Sequence, residues 1–83
     1  MEGMIALARL HFYQPPQHDK MYNVDVRVEN GVYRVIGMWG RRGNAMQQQV
    51  KYEGRSMGEA MSTFHGMVDA KACKGYEIVQ IDL

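Results

Sequence analysis

Eighty-three residues, 46% hydrophobic and 23% charged, make one small globular domain spanning 1–83 and exclude a disordered chain. A net charge of +1 excludes a molecule that draws nucleic acid by its bulk charge, so any such binding needs a local patch. A single cysteine, Cys73, excludes an intrachain disulfide framework and a Cys-based zinc site.

The chain start lacks a signal-peptide pattern, and no apolar run approaches the roughly 20 residues of a membrane helix. A cytoplasmic, reducing compartment is therefore expected. Met occurs eight times. Several of these fall at helical spacing, so gap-filling in the core is the expected use.

A first strand is expected from Ile5 to Tyr13. Pro15-Pro16 and the polar run Gln17-His18-Asp19-Lys20 should end it. A second strand, Tyr22 to Glu29, alternates cleanly. Tyr22, Val24, Val26 and Val28 face one side, and Asn23, Asp25, Arg27 and Glu29 the other. Asn30-Gly31 then predicts a type I′ hairpin turn, and a third strand runs from Val32 to about Trp39.

A two-residue loop fixes register. Glu29 should oppose Val32, Val26 oppose Val35, Val24 oppose Gly37, and Tyr22 oppose Trp39. This puts Trp39 on the core side at the sheet's edge, unless Gly37 marks a bulge. Arg27 falls opposite Arg34, a like-charge pair that costs something unless the diagonal neighbours Asp25 and Glu29 offset it.

Gly40 to Ala45 reads as a turn and Met46 to Glu53 as a fourth strand. In that strand Gln47, Gln49, Lys51 and Glu53 should face solvent. Ser56-Met57-Gly58-Glu59 has the pattern of a capping box. The helix should run from Met57 to about Lys74, with Gly75 closing it in the left-handed conformation. Met57, Ala60, Met61, Phe64, Met67 and Val68 form its apolar stripe. Tyr76 to Leu83 is the last strand.

The predicted fold class is α+β, an antiparallel sheet of about four to five strands with one helix packed on one face. The uncovered face should be polar, carrying Asn23, Asp25 and Arg27 together with Gln47, Gln49 and Lys51.

Catalytic and metal chemistry find little purchase. His11, His18 and His65 stand far apart without ligand spacing. Ser56 reads as a helix cap, and Cys73 as a small, partly buried side chain. No phosphate-cradling glycine loop is present. No cofactor, metal or enzymatic activity is expected.

The basic residues carry more. Arg34, Arg41, Arg42, Lys51 and Arg55 stand against one acid, Glu53, so this stretch carries +4 and the remainder −3. Trp39 lies within it, in the run Trp39-Gly40-Arg41-Arg42-Gly43. A flat aromatic beside guanidiniums suits a sugar-phosphate backbone or an exposed base. A solvated turn after a core strand is the competing reading.

That run, with Gln47 beyond it, resembles the WGR domain, named for its Trp-Gly-Arg core. The resemblance spans nearly the whole chain. A strand like Met21-Tyr22-Asn23-Val24-Asp25-Val26 precedes one ending in Trp-Gly-Arg. A Gln-containing strand, one helix and a close like Lys74-Gly75-Tyr76 follow.

Such domains occur in DNA-damage-activated poly(ADP-ribose) polymerases, in bacterial regulators and as short stand-alone proteins; this chain looks like the stand-alone type. The resemblance implies an antiparallel sheet with one helix, and binding to DNA near strand breaks. It implies that Trp39 packs on a terminal sugar and that Arg41 contacts phosphate or relays binding to neighbouring domains. Without a polymerase domain, transfer of ADP-ribose is not expected. Arg42 and Met46 depart from the family pattern, where a small or apolar residue and a Gly are usual.

The expected interface is Trp39, Gly40, Arg41, Arg42, Gln47 and Lys51, with DNA ends or nicks as partner. A protein-interaction or self-association module using the polar sheet face or a strand edge is the alternative.

Overall fold

The computed structural model describes residues 3–15 and 18–83. Pro16 and Gln17, within the expected stop after the first strand, lie outside them, as do Met1 and Glu2 at the start. The described chain runs β1 (Gly3–Gln14), β2 (His18–Glu29), β3 (Val32–Arg41), β4 (Gln47–Gly54), α1 (Met57–Cys73) and β5 (Glu77–Asp82). All strand pairs are antiparallel, and the five-stranded sheet has the order β4-β3-β2-β1-β5. One helix packs across β1 to β4, giving the expected two-layer α+β fold.

Hairpin chemistry sets the centre of the sheet. Asn30 and Gly31 take positive φ values of 52° and 76°, the backbone of a type I′ turn. The register that follows pairs Glu29 with Val32, Val26 with Val35 and Tyr22 with Trp39, as the loop length requires. Gly37 causes no slip in this ladder. Its lack of a side chain serves a close approach instead, because a Cβ there would lie 2.9 Å from the Tyr22 hydroxyl and 3.1 Å from Met67 Cε.

The core is the face so defined. Ala6, Ala8, Leu10, Val24, Val26 and Val35 from the sheet meet Ala60, Phe64 and Val68 from α1. Met61 and Met67 pack at its margin, as the stripe predicts, whereas Met57 is 55% exposed in the first helical turn and fills nothing.

Three expectations are corrected. First, β2 begins at His18, not Tyr22. The polar residues there continue the ladder, with Gln14 opposite His18. The His11 ring also pairs with Asp19 across the hairpin, so polarity did not mean a turn.

Second, the uncovered face is less polar than expected. Asp25, opposite Leu7 on β1 and Ile36 on β3, is only 4% exposed. Its Oδ2 accepts from Arg27 at 3.3 Å, and its Oδ1 has no partner among the described residues. Arg34, facing Arg27, is held by Glu53 of β4 rather than by Glu29.

Third, a bulge in β4 reverses its outward face. The register steps from Val35–Tyr52 to Ile36–Val50, leaving Lys51 as the extra residue. Gln47 opposes Trp39 and Gln49 opposes Gly37, so both lie on the helix-bearing side. Val50, half exposed, takes the open side.

Helix ends follow their caps. The Ser56 hydroxyl accepts the Glu59 amide at 3.1 Å, the first half of a capping box. The second half is supplied from elsewhere. The Ser56 amide donates to the Tyr52 hydroxyl at 3.4 Å, and that hydroxyl donates to Glu59 Oε1 at 3.0 Å. At the other end Gly75 has φ +101°, with its amide bonded to the Ala72 carbonyl. Ser56→Ala should cost about 1 kcal/mol, a fall of roughly 4–8 °C in melting temperature by calorimetry for a domain this size.

Candidate nucleic-acid interface

The register places the Trp39 ring on the helix side of the sheet, half-buried at the end of β3. It stacks on Tyr22 with ring centroids 6.3 Å apart and planes 17° apart. Tyr76, just after α1, meets Tyr22 edge-on at 6.2 Å. These three rings line one side of a hollow of about 400 Å³ between the sheet end and the last turns of α1.

Four cations also line it, beside Met21, Gly40 and Gln49. Lys20 and Arg41 are cross-strand partners and so share this face. The β4 bulge brings Lys51 Nζ to 5.8 Å from the centre of the Trp39 ring. Lys71, from the last turn of α1, puts its Nζ 4.5 Å from the Tyr22 ring and 5.6 Å from that of Tyr76. No carboxylate is among the described residues that line the hollow.

The crowding is felt by the groups themselves. Burial holds the Lys71 ammonium below its usual pKa, and the charges of Lys74, Lys51 and Lys20 push it further the same way. The Tyr22 hydroxyl is pushed up by burial, with Tyr76 adding to the shift. Four cations around three aromatic faces make a concave surface suited to an anion joined to a flat ring.

The expected interface residues divide. Trp39, Gly40, Arg41 and Lys51 line the hollow. Gly40 has the Ala45 carbonyl 3.3 Å from where a Cβ would stand, so the turn closes tightly over it. Arg42 is exposed on the turn outside the hollow, its amide donating to the Asp19 carbonyl at 2.9 Å. Gln47 lies beside Trp39 on the neighbouring strand, exposed, and does not line the hollow.

The basic stretch also divides. Arg34 sits on the opposite face with Glu53, and Arg55 lies against Gly31 at the far hairpin. Sequence reasoning missed Lys20, Lys71 and Tyr76, which lie outside the basic stretch. Lys20 carried a readable signal, since extending the hairpin register by two residues puts it opposite Arg41. Lys71 had none, because its place depends on how α1 docks.

The WGR domain family model matches residues 8–81, nearly the whole chain and all of the hollow. The chain belongs to the WGR family. Membership supports a module of the nucleic-acid-binding type in general. Searches of curated proteins and of solved structures each found no match. Within this WGR domain the namesake Trp39, Gly40 and Arg41 all line the hollow.

Other chemistries find no constellation among the described residues. None of the groups of His, Cys, Asp and Glu reaches three members placed to hold a metal ion. Cys73 is exposed near the end of α1, not partly buried as expected. No helix of the described residues is long and apolar enough to cross a membrane.

Proposed function

We propose that this WGR domain binds DNA at strand ends or nicks, without catalysis, by seating a terminal nucleotide against Trp39. The observation that carries this reading is the meeting of the Trp39–Tyr22 stack with Lys20, Arg41, Lys51 and Lys71 in one hollow. A duplex interior offers no free sugar or base face to such a hollow, whereas an end or a nick does. Gln47 and Arg42 lie beside the hollow and contact the strand that runs past it.

Fluorescence anisotropy with nicked, blunt-ended and end-closed intact duplex tests the reading. Nicked or blunt duplex should bind more tightly than the closed one; equal, undetectable binding to all three at low salt would sink it. If all four cations meet phosphates, log K should fall against log salt with a slope of about −3.6. A slope near zero would remove the phosphates from the interface. Arg42→Ala should weaken binding and leave the melting temperature unchanged, because among the described residues its side chain is exposed and its backbone amide makes the bond to Asp19 that holds the turn.

A second reading, protein contact or self-association, draws on β5. Every residue of this edge strand is exposed, including Ile78, Val79 and Ile81. Unpaired apolar edges invite another strand. Sedimentation showing a strict monomer at high concentration would remove the self-association form.

A further inference from the structure

The hollow beside Trp39 holds more positive charge than one nucleotide of a strand can match. Inside a strand each nucleotide brings one negative charge. Lys20, Lys51 and Lys71 converge on a space of about 400 Å³, with Arg41 on the same lining. That space falls within the roughly 300–1,000 Å³ of small-molecule sites and has room for about one nucleotide.

We propose that the hollow binds a free nucleoside polyphosphate, which competes with nucleic acid for the site. This rests on the reading of the hollow as a nucleotide-accepting site, and it names a small-molecule ligand class for it. The ring lies against Trp39, and the phosphoryl chain runs toward Lys71 and Lys20. Each added phosphoryl group brings charge that a backbone diester lacks, so affinity rises along the series from monophosphate to triphosphate.

The distribution of groups supports that orientation. Trp39 and Lys51 lie at the β3–β4 end of the hollow, with Lys51 Nζ 5.8 Å from the Trp39 ring centre. Lys71 lies at the α1 end between Tyr22 and Tyr76. The ammonium of Lys71 is already disfavoured by burial and by Lys74, Lys51 and Lys20. A polyanion reverses that penalty, because it supplies the negative charge that the lining residues lack.

Isothermal titration of the whole chain with AMP, ADP, ATP and inorganic tripolyphosphate tests this, with EDTA present so that no divalent cation masks the phosphates. ATP should bind at least about tenfold more tightly than AMP, the size of one or more charge-assisted hydrogen bonds. Tripolyphosphate should bind more weakly than ATP, since it lacks a ring for Trp39. Lys71→Gln and, separately, the exposed Lys20→Gln should each weaken ATP by about tenfold, with folding checked by thermal melting.

ATP binding no tighter than AMP, or ATP affinity unchanged in both variants, would overturn the proposal. Competition separates it from the DNA reading. ATP binding with no DNA bound at low salt removes the DNA reading and leaves the nucleotide site. DNA binding that ATP cannot displace, with no heat from ATP, removes the nucleotide site alone.

Discussion

Trp39→Ala should lose binding and stability together. Base or sugar stacking on an aromatic is worth about 1–3 kcal/mol, so affinity for nicked duplex should fall roughly 5- to 150-fold. Stability should fall as well, because the indole is half-buried, packs on the core and stacks on Tyr22. A fully buried Trp→Ala change costs about 3–5 kcal/mol, and half-burial suggests about 2 kcal/mol here. Anisotropy and urea unfolding measure the two losses separately. Trp39→Phe keeps an aromatic wall and should recover most of the stability, so any binding lost in that variant belongs to the indole. A Trp39→Ala protein that unfolds earlier yet binds nicked duplex like the parent would remove Trp39 from the interface.

Phe64→Ala should be the most damaging single change in the core. Phe64 is fully buried on α1, where the helix meets the sheet. Removing a buried Phe side chain costs about 3–5 kcal/mol through lost transfer energy and the cavity left behind. A small domain holds only about 5–15 kcal/mol in total. The variant should therefore unfold at much lower urea concentration, with α1 failing to dock. Its effect on binding should follow the loss of fold, since Lys71 reaches the hollow only from a docked helix. Phe64→Leu should recover most of the stability and, with it, nucleic-acid affinity. A Phe64→Ala protein as stable as the parent would contradict the packing of α1 on the sheet.

The parts of the fold that local chemistry controls were legible in the sequence. Asn30-Gly31 forced one turn type, and that turn forced the register that pairs Tyr22 with Trp39. Ser56 and Gly75 bounded the helix because each answers a backbone requirement within a few residues. The parts that failed depend on distant chain segments. Lys51 is exposed, as strict alternation reads it, but as the extra residue of the β4 bulge it lies by Trp39 and not on the open face. Asp25 reads as wet, yet its strand neighbours Leu7 and Ile36 cover it. Tyr52 takes the role given to the Glu59 side chain at the helix start because β4 ends beside α1.

The candidate site shows the same division. Charge counted along the chain put five cations near Trp39, but only Arg41 and Lys51 of these reach the hollow. Lys20 and Lys71 arrive through pairing and docking, from segments whose summed charge is negative. A patch counted along the chain is therefore a poor guide to a patch in space. Trp39 and Tyr22 were legible together because a two-residue loop leaves no freedom in how they meet.

Because Trp39 is the only tryptophan, its emission reports on one place in the molecule. Nicked duplex added at low salt should change that emission with the same midpoint seen by anisotropy, and the change should vanish as salt displaces the DNA. Tight binding by anisotropy with Trp39 emission unchanged throughout would contradict a nucleic-acid site at this hollow.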